Sequence, residues 1–288
     1  MSFTPTELGT YEIRILAKDE LGTLVPKVVN LTVKKPKSEE ITDAILPSIL
    51  NDSMNDFEKV IAIHDWIVNN IEYDMEHYYD TVPPAWDSTA EGAYDNRKAL
   101  CGGYAKLFRL LANTARFEVK IITGQAYGVS GTTEAHEWNR IKIGDNWYNV
   151  DVTMDDPVST STKINNLRYN YLLVPDSAIS STHFTDNTSE SCTAPQPMDK
   201  IEPAIAANIS RDTNRKTYIC KTGSSINSAF KDASSNNLKQ FQILYKSSET
   251  SASKISTLIR SYSTANAAIT PSICTYAEGY WSIRVVFS

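Results

Sequence analysis

The chain has 288 residues, of which 41% are apolar, 10% aromatic and 22% charged, enough apolar material for one large core or two modest ones and too much for a disordered chain. Its unbroken apolar runs stop at four or five residues, far short of the roughly 18 to 20 that cross a bilayer, so no membrane span is predicted. A formal net charge of −6, with no dense Lys/Arg cluster, excludes the basic footprint that nucleic acid or an anionic membrane surface requires.

The N-terminal segment reads as β-structure. Tyr11, Ile13 and Ile15 alternate on one face, Asp19 to Gly22 make a turn, and Val29, Leu31 and Val33 follow on a second strand. Residues 1–36 are therefore expected to form a β-hairpin segment. It resembles the last hairpin of a bacterial immunoglobulin-like domain, and an arm docked on the neighbouring domain is the alternative. The segment has neither a basic region nor an apolar core of signal-peptide type.

Two helices are predicted next, over SEEITDAILPSIL and DFEKVIAIHDWIVNNIEYD. In the second, Phe57, Val60, Ile61, His64, Ile67 and Ile71 keep a 3.6-residue period, and Asn55-Asp56 can cap it. His64 falls on the apolar face and reads as a core histidine. Residues 73–100 have loop composition, and the helical period returns through Leu107, Leu110 and Leu111. Three strands follow, VKIITGQAYG, EAHEWNRIKI and NWYNVDVTM. Ser/Thr/Asn-rich stretches at 158–166 and 185–200 bracket the apolar run YNYLLV, and a boundary is set near 198. Residues 199–288 read as a small β-α-β-α-β-β accessory domain.

The chemistry is carried by three segments. In KALCGGYAKLF, Cys101 stands at the start of an amphipathic helix, where the macrodipole and unpaired N–H groups favour a nucleophilic thiolate, and Gly102 leaves it uncrowded. His136 lies on a strand and Asp151 on the next. A two-residue turn at Gly144-Asp145 makes facing residues sum to 289, so His136 and Asp151 become diagonal neighbours on one face, roughly 7 Å apart at Cβ. Together they compose nucleophile, base and orienting acid. Trp86 and Tyr94, upstream in the loop that borders the cleft, and Gly102 are candidates for the oxyanion site or cleft. Trp138, Trp147 and Tyr148 are expected to pack the hairpin on the Cys101 helix. His77 and His183 read as loop residues at the cleft rim, and Asp155-Asp156 as a turn. The other cysteines, 192, 220 and 274, are too few and too scattered for a disulfide framework. No metal and no cofactor are predicted.

CGGYA, AHEWN and NWYNVDVTMDDP, with the preceding VIAIHDWIVNNIEYD, resemble the transglutaminase-like superfamily of papain-related cysteine enzymes. Met154 departs from it, standing where many relatives have Trp. The resemblance implies an α+β domain over residues 37–198, with helices packed on an antiparallel sheet, and assigns Cys101 as nucleophile, His136 as base and acid, and Asp151 as the residue orienting His136. It implies cysteine-dependent acyl transfer or amide hydrolysis on protein or peptide substrates, cell-wall or surface proteins among them, with cross-linking, deamidation and proteolysis all open. A non-catalytic surface-binding module that retains the triad is the alternative. The modular, Ser/Thr-rich character points to a secreted or cell-surface bacterial protein.

Overall fold

The structure is a computed structural model that describes residues 7–128, 131–156, 167–186, 190–211, 216–263 and 273–287. Strict alternation at the N-terminus produces an antiparallel ribbon, β1 Gly9–Lys18 with β2 Leu24–Val33, paired from Gly9 with Val33 to Lys18 with Leu24. Asp19 closes its turn by accepting the N–H groups of Leu21 and Thr23 on Oδ1, and Gly22 takes φ +83°, a conformation open to a residue without Cβ. Ile15, Leu16, Val28 and Val29 remain exposed, so the ribbon adds nothing to the core.

Helices α1, Lys37–Ile49, and α2, Asp56–Asn70, follow. Asn55 starts α2 with a reciprocal capping box: its side chain accepts the Glu58 N–H at 3.1 Å, and Glu58 Oε2 accepts the Asn55 N–H at 2.8 Å. The stretch expected to be loop holds more order than its composition suggests, with β3 Glu72–Tyr73, a 3-10 turn at Ala85–Ser88, α3 Ala90–Asn96 and β4 Lys98–Ala99. Seven residues are too few to display helical periodicity. Helix α3 exists because Thr89 caps it, accepting the Gly92 N–H at 3.0 Å. Helix α4, Cys101–Thr114, then buries Tyr104, Leu107, Phe108 and Leu111 in the main core with Ile63 and Ile67 of α2.

Against α4 lies a five-stranded antiparallel sheet built from β5 Glu118–Tyr127, β6 Thr133–Ile143, β7 Asn146–Val150, β8 Leu172–Val174 and, after α5 Asp176–Ile179, β9 His183–Phe184. Its order is β8-β7-β6-β5-β9. The Gly144-Asp145 turn sets β6 against β7 from Ile143 with Asn146 to Asn139 with Val150, the register read from the sequence. One packing expectation is corrected. Tyr148 does join the core beside α4, meeting Phe57 edge-on, but Trp138 belongs to a separate cluster with Ile122, Val174 and Ile179, and Trp147 lies under the Lys120 ammonium. The pleat explains it: Ile141 and Ile143 share the face that meets the main core, and Trp138 is out of phase with them.

Beyond it come α6 Met198–Arg211, β10 Thr217–Cys220, α7 Gly223–Ser235, β11 Gln240–Lys246, α8 Ala252–Ser261, β12 Ile273–Ala277 and β13 Tyr280–Val286. After α6 this is the expected element order. The sheet runs β10-β11-β13-β12, with β10 and β11 parallel and the rest antiparallel. It has its own core around Ile226, Phe230, Phe241 and Ile283, while Ile201, Leu244, Ala277 and Tyr280 join the main core. Mixed helices and antiparallel sheets make the chain α+β.

Candidate active site

Cys101 is the first residue of α4 and is partly exposed. Leu100 precedes it as N-cap without a capping side chain, and the opening N–H groups of a helix have no intrahelical acceptor. The backbone behind the thiol is tightly fixed. Leu100 donates its N–H to the Asp87 carbonyl at 3.1 Å, and a Cβ on Gly103 would stand 2.6 Å from that same carbonyl oxygen. Gly102 faces Ser88, 3.1 Å from where its own Cβ would be. These two glycines let the helix start approach the 3-10 turn closely.

His136 is buried on β6 and turns Nε2 to Asp151 Oδ2 at 2.6 Å, and the Cys101 thiol lies near enough to act on its imidazole. Asp151 lies one residue beyond the end of β7 rather than on it. It is anchored by its N–H, donated to the Tyr171 carbonyl at 3.0 Å, and by Oδ1, which accepts the Met154 N–H at 3.1 Å. The structure thus brings Cys101, His136 and Asp151 together. Opposite His136 on β5 is Gly124, where a Cβ would meet the Phe184 carbonyl oxygen at 2.2 Å, so only glycine lets β9 come this close.

That approach delivers a fourth member. His183, expected at the rim, is buried on β9 and places Nε2 2.8 Å from the same Asp151 Oδ2, with Nδ1 2.9 Å from Thr182 Oγ1. An ionised carboxylate only accepts, so both histidines carry a proton on Nε2. Burial alone would raise the Asp151 carboxyl, yet the two histidines hold it well below the usual carboxylate range. Burial likewise disfavours charge on His136, but Asp151 and Cys101 outweigh it and push the imidazole up to about 10. The sequence signal for His183, a Tyr-Leu-Leu run followed by His after the triad, is weak because its role depends on β9 returning to the edge beside β5.

The remaining candidates make other contacts. The Tyr94 ring stacks on the Arg97 guanidinium at 4.5 Å and faces Lys37, and Trp86 meets His77 edge-on at 5.9 Å. The aromatic that feels the Cys101 charge is Tyr73, whose hydroxyl burial keeps neutral. His64 is the core histidine expected, fully buried between Asp65 at 3.0 Å and Asp155 at 3.2 Å and stacked on Tyr169. Asp155 and Asp156 do form a turn, with Asp155 buried and the half-buried Asp156 accepting the Tyr104 hydroxyl at 2.6 Å. Cys192 and Cys220 are free and buried, pushed up to about 12 and about 11 by desolvation; the Cys274 side chain lies outside the described residues. Among the described residues, two groups have ligand atoms converging within 4.8 Å, His136/Asp151/His183 and Asp74/His77/Asp87. The first is consumed by its own hydrogen bonds.

Residues 43–152 match the family profile of the transglutaminase-like superfamily core. Among curated proteins, the kyphoscoliosis peptidase of Mus musculus is 28% identical over 186 residues, 61% of this chain and 27% of its own length. That of Homo sapiens is 28% identical over 155 residues, 50% of this chain and 23% of its own. The chain therefore spans about a quarter of the length of these relatives. Among solved structures, a Cytophaga hutchinsonii protein described as a candidate cysteine protease is 25% identical with a TM-score of 0.33, over 40% of this chain and 37% of that one. A structure described as a TGase is 18% identical with a TM-score of 0.35, over 40% of this chain and 32% of that one. Over residues 43–152 the chain is therefore similar to the core domain of the transglutaminase-like superfamily.

Proposed function

We propose that the chain is a cysteine-dependent enzyme that cleaves carboxamide or peptide bonds through a thioester on Cys101. The observation that carries this reading is His136, held by Asp151 at 2.6 Å on one side and acted on by the nearby, partly exposed helix-start thiol of Cys101 on the other. In the reaction His136 takes the Cys101 proton, and the thiolate sulfur bonds to the substrate carbonyl carbon. The carbonyl electron pair moves to oxygen, where the first N–H groups of α4 are the available donors. As the tetrahedral intermediate collapses, the C–N bond breaks, the imidazolium proton goes to the departing ammonia or amine, and the acyl group stays on sulfur. His136, neutral again, then deprotonates the second nucleophile, and the thiol is restored.

The substrates are proteins or peptides, and the second nucleophile, amine or water, decides between cross-linking and hydrolysis. The test is ammonia release from a glutamine-containing peptide, with and without a primary amine, in wild type and Cys101→Ala, with products identified by mass spectrometry. Cys101-dependent ammonia with amine incorporated identifies a transglutaminase, ammonia without incorporation a deamidase, and new chain termini a peptidase. Equal turnover by wild type and Cys101→Ala overturns the proposal, as does a Cys101 thiol that iodoacetamide alkylates no faster than Cys192.

A further inference from the structure

We propose that Asp74, His77 and Asp87 form a binding site for one divalent first-row transition cation of the zinc class, behind the start of α4 and separate from the Cys101 site. Asp87 is completely buried, yet neither carboxylate oxygen accepts a hydrogen bond. Buried carboxylates are ordinarily satisfied, so an orphan one facing a second carboxylate asks for a cation. The geometry suits a small ion. His77 Nδ1 stands 2.8 Å from Asp74 Oδ2 and 3.6 Å from Asp87 Oδ2, and one ligand atom from each residue lies within 4.8 Å of the others. Tetrahedral ligands at about 2.1 Å from zinc are roughly 3.4 Å apart, so small adjustments seat the ion.

Two carboxylates and one imidazole match zinc-class preferences, whereas Ca²⁺ demands six to eight oxygens. The supports are in place around them. Asp74 Oδ1 accepts the Glu76 N–H at 3.0 Å, which aims Oδ2 at His77, and the Trp86 ring edge-packs the imidazole. Lys98, the nearby cation, is paired with Glu76 at 3.6 Å. The partly exposed His77 gives the entry path, and the ion displaces the proton on Nδ1. Asp74 donates its N–H to the Ala99 carbonyl and the Asp87 carbonyl accepts from Leu100, so an ion here clamps two turns to the residues just before Cys101.

The test is calorimetric titration of the chelator-stripped full chain with Zn²⁺, and the visible spectrum with Co²⁺, in wild type, Asp87→Asn, His77→Gln and His136→Ala. The expected result is one ion per chain, weakened by about tenfold or more in both Asp87→Asn and His77→Gln and retained in His136→Ala. His77→Gln, near the surface, keeps the comparison valid if Asp87→Asn fails to fold. No stoichiometric ion in wild type overturns the proposal and leaves a proton shared between Asp74 and Asp87. Binding lost in His136→Ala but kept in His77→Gln also overturns it, by assigning the ion to the other cluster.

Discussion

The proton economy of the proposed active site turns on a single oxygen, Asp151 Oδ2, which serves both His136 and His183. This anion sustains the His136 imidazolium from the ordinary histidine value, roughly 6.5, up to about 10. Once His136 has taken the Cys101 proton, the acid form therefore persists across the neutral range and disappears as pH rises through that upper value. Asp151→Asn removes the stabilising negative charge, so the alkaline limb of the kcat/KM profile is expected to move to lower pH, together with a rate loss smaller than that of Cys101→Ala. A profile whose limb stays in place in Asp151→Asn would mean that another group sets it. His183 acts on the reaction only through Asp151. His183→Phe is expected to lower kcat with KM nearly unchanged, because the carboxylate loses one of the three donors that fix its rotamer, and normalising the rate to the titrated Cys101 active sites separates this from general unfolding, which lowers only the active enzyme concentration.

At the scale of elements, the start of α4 is where sequence and packing meet most tightly. Gly103→Ala places a methyl group 2.6 Å from the Asp87 carbonyl oxygen and 2.5 Å from Ala99 Cβ, neither of which can step aside without moving the Cys101 backbone. Overpacking of this kind costs about 1 to 3 kcal/mol, and the chemical denaturation midpoint is expected to fall with a parallel slowing of Cys101 alkylation. Asn55→Ala, by contrast, breaks only the capping box of α2 and is expected to cost about 1 kcal/mol without touching alkylation. The contrast also explains what was legible in the sequence. The α2 cap, the β6–β7 register and the Cys101 helix start are written in contiguous residues, so local rules reach them. The 3-10 turn, α3 and β9 are too short to carry a period, and His183 and Asp87 take their surroundings from distant segments that close approaches at Gly124 and Gly103 bring in. Trp138 was misplaced because an aromatic strand residue signals burial without saying on which side of the sheet.

Across the whole molecule, the C-terminal sheet and the five-stranded sheet share more than a connecting chain. Gln196 is buried between them and donates Nε2 to the carbonyls of Tyr169 and Leu172, both at 2.7 Å, while its Oε1 accepts the Glu278 N–H at 3.0 Å beside the β12–β13 turn. Just beyond it, α6 sends Ile201 into the main core and Glu202 to Lys221 and to Lys246, the latter at 3.1 Å, on the C-terminal side. Leu244, Ala277 and Tyr280 complete the apolar contact. Such a seam, apolar at its centre and satisfied by one amide, couples the stability of the two sheets. Gln196→Ala strands the buried carbonyls of Tyr169 and Leu172, each losing a bond whose absence costs about 1 to 3 kcal/mol before relaxation, and frees the N–H of the exposed Glu278. The expected outcome is a clear drop in thermal midpoint in which tryptophan fluorescence, reporting Trp281 of the C-terminal sheet together with Trp66, Trp86, Trp138 and Trp147, still follows one transition in wild type and separates into two in the variant. Retention of a single transition at an unchanged midpoint would show that the apolar contact alone joins the sheets and that Gln196 is dispensable to it.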